Sequence, residues 1–383
     1  MARGTGVEYL TATWNPIAMR CTPVSAGCDH CWHQVMAKRF AGMSQFSDEV
    51  RAAYAGEGPP VLVERRLEQP LHWTGHQIIG VQFMGDSFHP DVPEEFIWKT
   101  FAVMALTPWH TYVVLTKRAD RMFEVLTGRG FHGDMWAERD GMVERNVVPP
   151  RLLERLDLKR HSQRVPHDME TTVDMLLEYQ PEPEWPLPNV IVGVTAENQQ
   201  TADERIPVLL QTPAAVRFVS CEPLLGPINL TSIPAATWGE EFGGPDYRGI
   251  TLSALDGGRS TDTPWHLNWV IVGGETGPGA RPMHPNWVRS LRDQCQASGT
   301  AVWFKSWGAW RPLKGSGARA PTPVGFWAQH ADPYANNLYT APDGQSFIEG
   351  VCSHGEHMAR VGPKRAGNIL DGRTWEQLPE VVR

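Results

Sequence analysis

The sequence predicts an α/β protein folded as an open or partial (β/α) barrel. Two patterns carry this expectation. Short β-branched runs alternate with helical stretches along most of the chain, the order that builds a parallel sheet rather than a sandwich. Five of those runs also end in polar or glycine-rich segments, the edge where parallel βα folds gather their active sites. Composition agrees. With 41% hydrophobic and 20% charged residues over 383 positions, the chain can bury a full core, in one large domain as readily as in two.

The first strand is expected around Tyr9–Trp14. It feeds a loop holding Cys21, Cys28 and Cys31, and a helical stretch follows at Gln34–Phe40. Buried strands are then predicted at Ile79–Met84, Thr111–Thr116, Asn189–Thr195, Val216–Ser220, Trp269–Gly273 and Ala301–Lys305. Helices are predicted at Pro93–Leu106, Ala119–Thr127, Thr201–Leu210 and Pro285–Ala297, where apolar residues recur at helical spacing and several segments open with Pro or acidic residues. Residues 1–310 thus read as the barrel. Two insertions or lids interrupt it, Gly128–Leu187, with a basic stretch from Arg145 to Arg164, and Pro227–Leu267, rich in Gly, Thr and Ser. Residues 311–383, rich in Gly, Pro and Ala, are expected to form an irregular extension packed on the barrel.

Charge and targeting signals narrow the function classes. A net charge of −8 gives no general attraction to phosphate, so nucleic-acid binding would need a local basic groove. No apolar run approaches the roughly 20 residues of a membrane span, and the N-terminus lacks a secretory apolar region. A cytoplasmic protein with no membrane partner is expected, its six cysteines reduced. The sixteen tryptophans are numerous. Trp303, Trp307 and Trp310 can stack on a base or serve as core.

Three of the six cysteines fall within eleven residues as Cys21-x6-Cys28-x2-Cys31, and clustered thiols in a reducing compartment point to metal. Two sites fit. An iron–sulfur cubane held by three thiolates leaves one iron without a protein ligand. A structural zinc would add His30 or His33 as the fourth ligand, although its paired half-sites are usually both short-spaced. The polar segments at the predicted strand ends are Gly85-Asp86-Ser87, Thr116-Lys117-Arg118, Thr195-Ala196-Glu197, Ser220-Cys221-Glu222 and Gly273-Gly274-Glu275. Any one of them also reads as a turn with a helix cap. Cys352, His354, Glu356 and His357 invite a metal reading but match no standard zinc spacing.

Several segments together carry a resemblance. They include Thr13-Trp14-Asn15-Pro16, the run Cys21-Thr22-Pro23-Val24-Ser25-Ala26-Gly27-Cys28-Asp29-His30-Cys31, Asp86-Ser87-Phe88-His89-Pro90 and Leu115-Thr116-Lys117-Arg118. Ala202-Asp203-Glu204-Arg205-Ile206-Pro207, Phe218 through Gly226, Val272-Gly273-Gly274-Glu275, Ala280-Arg281-Pro282-Met283 and Leu370-Asp371-Gly372-Arg373 continue it over nearly the whole chain outside the insertions. These segments resemble a family of phage and bacterial proteins named for a three-cysteine motif, a divergent branch of the radical S-adenosylmethionine enzymes.

The resemblance implies a partial (β/α) barrel of the radical S-adenosylmethionine type, a [4Fe-4S] cluster on Cys21, Cys28 and Cys31, S-adenosylmethionine and an external electron donor. It also implies an isomerase acting on an amino-acid-modified thymidine in phage DNA, working in the host cytoplasm if phage-encoded. Gly85, Asp86 and Ser87 take the place of the turn that holds the methionyl amino group, and Lys117 or Arg118 would pair with the methionyl carboxylate. Thr195 and Glu197 suit the ribose hydroxyls, and Glu222, Glu275 and Lys305 would line the substrate side. Helix caps, structural ion pairs and surface charge are the plainer alternatives for these residues. Trp32 stands where the family usually has Tyr, and Ser306 and Ala309 replace Gln and Glu, departures that bear on the substrate. A zinc-stabilised, non-catalytic nucleic-acid-binding or interaction protein is the alternative function.

Overall fold

In a computed structural model of the chain, side chains are described for residues 5–128, 185–234, 251–256, 266–312 and 358–380, with the backbone alone for 337–340, 346–351 and 357. A seven-stranded parallel sheet runs in strict chain order. Its strands are β1 (Ala12–Trp14), β2 (Ile78–Val81), β3 (Thr111–Thr116), β4 (Val190–Thr195), β5 (Val216–Cys221), β6 (Trp269–Gly273) and β7 (Ala301–Ser306). Strand order without a reversal means that every crossover steps the same way around the sheet, which distinguishes a barrel-like winding from a doubly wound sheet. β1 and β7 do not pair with each other, so the structure is a half-barrel.

Alternation along the strands produces two faces. Tyr112, Val114, Val192, Val194, Val219, Val270, Val272, Val302 and Phe304 join the helices in the larger apolar core. The principal helices are α1 (Trp32–Ala41), α2 (Asp48–Ala55), α3 (Glu94–Leu106), α4 (Ala119–Thr127), α5 (Gln199–Gln211) and α6 (Pro285–Ser298). The intervening residues Val113, Ile191, Phe218, Trp269, Ile271 and Trp303 turn to the other face, where Tyr9 and Leu10 join them in a second core. Tyr9 meets Trp269 and Trp303 edge-on at ring separations of 5.2 and 5.9 Å, a favourable quadrupole geometry. Gly193 sits in this plug because a Cβ there would lie 2.3 Å from the Phe218 ring. The inside of the half-barrel is therefore closed by aromatics below and left to polar strand ends above.

The strand predictions hold, with boundary changes that have local causes. β1 begins only at Ala12, since the chain turns before it with Leu10 N–H donating to Val7 O at 3.0 Å. β2 stops at Val81 because Gln82 adopts φ 53° and its side-chain amide bonds both backbone groups of Ile17, at 3.0 and 2.8 Å. α5 starts two residues early, where Asn198 and Thr201 form a reciprocal capping box.

The C-terminal extension departs from expectation. It is not simply irregular, because Trp310–Pro312, Asn337–Thr340, Ser346–Val351 and His357–Arg360 form a four-stranded antiparallel sheet. Its last segment covers the edge of β7 through Phe304 N–H to Trp375 O at 2.7 Å and Gln377 N–H to Val302 O at 3.1 Å, which shields an otherwise open strand. Most of the first insertion with its basic stretch, much of the second, and Cys352, His354 and Glu356 lie outside the described residues. Among the described residues, no helix is long and apolar enough to cross a membrane.

Candidate active site

At the C-terminal ends of the parallel strands lies a cleft lined by Cys21, Cys28, Cys31, Gly85, Asp86, Lys117, Arg118, Thr195, Glu222, Glu275 and Lys305. Eleven of the thirteen residues selected from sequence thus meet in one place. The other two, Ser87 and Glu197, are buried beside it and do not line it.

The cysteine loop is built by successive turns. Cys28 N–H donates to Ser25 O at 2.8 Å and Cys31 N–H to Cys28 O at 3.2 Å, after which Cys31 caps α1. From α1, the Gln34 side chain donates to Cys21 O at 2.7 Å, and His33 Nε2 accepts the Cys21 N–H at 3.1 Å. That bond commits Nε2 to the backbone and leaves the buried Nδ1 without a hydrogen-bond partner among the described residues. Burial, with Arg20 nearby, holds its pKa down to about 4.

Three acid–base pairs fasten the loop to the strand ends. Arg118, just after β3, bonds Asp86 at 2.7 Å and reaches up to Thr22 O at 3.1 Å, Thr22 Oγ1 at 2.8 Å and Cys21 Sγ at 3.7 Å. Asp86 is further held by the Thr116 hydroxyl at 2.7 Å and the Phe88 N–H at 2.9 Å. Lys117 bonds Glu197 and Ser25. Glu197, 0% exposed, also accepts from the Ser25 hydroxyl at 2.5 Å and from Arg205 at 3.1 Å. Although burial works against its charge, Lys117 and Arg205 hold its carboxyl below the usual carboxylate range. Gly27 packs directly on this pair, since a Cβ there would fall 2.5 Å from Glu197 Oε1 and 2.9 Å from Lys117 Nζ. Arg281 grips Glu275 through two bonds, at 2.6 and 2.9 Å, and donates to Ala26 O at 2.7 Å.

The thiols respond to these surroundings. Burial, aided by Asp86, pushes Cys21 up to about 11 against the pull of Arg118. Burial also raises Cys31. At Cys28 burial is outweighed by Lys117 and by hydrogen bonds from the Ser25 region, and its pKa falls. None of the three is in a disulfide.

The three thiols line one cleft, with the Arg118 guanidinium 3.7 Å from Cys21 Sγ, and thiols so placed could hold a metal centre. Among the described residues, no group of three or more His, Cys, Asp or Glu side chains is already gathered around one metal position.

A fourth pair, Lys305 with Glu222 at 2.5 Å, stands apart from the loop in the same cleft. The tryptophans considered for base stacking do not line the cleft. Trp303 belongs to the aromatic plug, while Trp307 and Trp310 are buried with their indole N–H groups donating to Ile369 O at 3.0 Å and Ala280 O at 2.7 Å. Trp32 does line it, 48% exposed. Ser25, Arg205 and Arg281 also build the site. All three lie inside the quoted segments, but nothing local marks them as ligands of distant carboxylates.

No curated protein and no solved structure matches the chain. One family model matches residues 4–379. Since that span is nearly the whole chain, the protein belongs to the family described as protein of unknown function DUF5131.

Proposed function

We propose that this protein is a radical S-adenosylmethionine enzyme, with a half-barrel of that type, and that it acts as an isomerase on an amino-acid-modified thymidine in DNA. The observation that carries the reading is the meeting of three free thiols and eight strand-end residues in one cleft over a parallel half-barrel. Cys21, Cys28 and Cys31 would hold a [4Fe-4S] cluster. With an external electron donor, a cluster held there would supply the one-electron reduction that cleaves a C–S bond of S-adenosylmethionine.

The chain's own residues do the remaining work. Arg118 aims a donor at the sulfur of Cys21, the kind of contact that would tune a cluster's potential. The three acid–base pairs fix the loop, so the thiols keep their places over the sheet. Tyr9 lines the cleft and packs with Trp269 and Trp303 in the second apolar core. Thr195, Glu222 and Lys305 present polar groups to whatever occupies the cleft, and a pyrimidine extruded from the duplex would suit a site recessed at the strand ends.

Anaerobic reconstitution with iron and sulfide, followed by a search for 5′-deoxyadenosine in the presence of S-adenosylmethionine and a reductant, tests the reading. The expected result is a brown protein with about four irons per chain that forms this product. A colourless protein with one zinc per chain would instead support the zinc-stabilised, non-catalytic interaction protein.

A further inference from the structure

Among the described residues, four carboxylates at the strand ends, Asp86, Glu197, Glu222 and Glu275, are each paired with a cation, and three of these pairings reach the cysteine loop. Asp86–Arg118 reaches Thr22, Glu197–Lys117 reaches Ser25, and Glu275–Arg281 reaches Ala26. Glu222–Lys305 differs. Among the described residues neither side chain bonds the loop, and both line the cleft with side-chain exposures of 23% and 18%.

Glu222 follows β5 and Lys305 lies near the end of β7, with the glycines that end β6 between them. A Cβ at Gly273 would meet the Glu222 carboxyl carbon at 3.1 Å, so this glycine leaves the pair the width of the missing side chain. Beneath lies the aromatic plug around Tyr9. Lys305 is partly buried, and the attraction of Glu222, with a smaller contribution from Glu8, outweighs that burial and keeps the ammonium charged.

An ion pair in such a place contributes little to stability, because desolvating the two charges offsets their attraction. Its arrangement has another consequence. Each charge supplies the other's counterion only until a ligand carrying both signs arrives. An ammonium on Glu222 and a carboxylate on Lys305 would replace the mutual bond with two charge-assisted ones and leave no net charge buried. A ligand with only one of these groups would strand the opposite side chain.

We propose that Glu222 and Lys305 form the recognition site for an α-amino-acid zwitterion carried by the substrate, Glu222 binding its ammonium and Lys305 its carboxylate. This rests on the function proposed above for the pyrimidine that bears the group; the charge argument stands without it. The methionyl end of S-adenosylmethionine has the same chemistry, so the test must separate the two sources.

Titration calorimetry on the whole protein would use three nucleosides of matched length: thymidine carrying an α-glycyl group on its 5-methyl carbon, 5-(2-aminoethyl)-2′-deoxyuridine and 5-(2-carboxyethyl)-2′-deoxyuridine. Wild type is expected to bind the zwitterion at least tenfold more tightly than either single-charge nucleoside. Lys305→Met should bring the zwitterion level with the amine, and Glu222→Gln level with the carboxylate. Because either single variant strands a partly buried charge, the neutral double variant Glu222→Gln/Lys305→Met is included. It should melt as wild type does and show no preference.

S-adenosylmethionine is titrated in parallel and should bind all variants alike. A wild type without preference for the zwitterion, a double variant that keeps the preference, or variants that lose S-adenosylmethionine instead would each overturn the proposal. Iron content and 5′-deoxyadenosine are measured on the same preparations. A protein that prefers the zwitterion but holds no cluster would retain this site while removing the radical reading.

Discussion

The end of β3 and the end of β7 place similar residues at the same edge of the same sheet, and the two have different tasks. After β3, Lys117 and Arg118 point in succession at Glu197 and Asp86, and through them the cysteine loop is tied down on both sides of its turn. At β7, Lys305 pairs with Glu222 just as closely but touches nothing in the loop. A strand-end cation is thus either a fastener or a ligand-facing group according to what lies above it. Distance along the chain does not tell them apart. The loop sits over β3 because its turns bring Thr22, Ser25 and Ala26 within reach of three cations, whereas the β5–β7 side remains open to the cleft.

Substitutions on the two sides should have unequal effects. The largest effect is expected at Cys28→Ala, with iron content and 5′-deoxyadenosine formation lowered by about 100-fold or more, because a ligand is worth at least as much as its supporting shell. Next is Glu197→Ala, which strands Lys117 and Arg205 and should cost about 3 kcal/mol in denaturant unfolding along with most of the bound iron. The same carboxylate makes stability depend on pH. Its folded pKa lies below the unfolded value, so its contribution is complete above about 4.3 and fades as pH falls through the folded pKa. Glu197→Gln should therefore flatten the acid limb of a melting-temperature profile.

Gly27→Ala pushes a methyl group into the Glu197–Lys117 pair and should cost about 2 kcal/mol, read as a lower melting temperature with slower cluster uptake. Arg281→Lys keeps the charge but not the two-pronged grip on Glu275, a loss of about 1 kcal/mol. The smallest effect belongs to the other side of the comparison. Glu222→Gln/Lys305→Met should leave unfolding within about 1 kcal/mol of wild type and the iron content unchanged, which circular dichroism and iron analysis would check. If that double variant lost its cluster as the Glu197 variant does, the division between fasteners and ligand-facing groups would collapse.

Much of this was legible from sequence because it depends on local pattern. The β-branched runs located all seven strands, and the polar residues that follow them located the cleft edge, since strand polarity forces every C-terminus to one side. Long-range pairing was not legible. Glu197 reads as a ribose ligand or a structural ion pair, and local pattern does not show that its carboxylate meets Lys117, Ser25 and Arg205, which come from three different elements. Gln82 read as ordinary strand, yet it leaves the strand to bond Ile17. The tryptophans stay open in sequence for a related reason: an indole fits a stacking platform or a core equally well, and the neighbours of Trp307 and Trp310 decide for the core. The strands within 311–383 were hidden by a composition typical of irregular chain.

The claim on which the account rests is that Cys21, Cys28 and Cys31 together hold an iron–sulfur cluster in this loop. Iron and acid-labile sulfide per chain, measured after anaerobic reconstitution of wild type and of the triple variant Cys21→Ala/Cys28→Ala/Cys31→Ala, test it most directly. The account predicts about four of each in wild type and none in the variant. Zinc in place of iron, or iron retained without the three thiols, would contradict it.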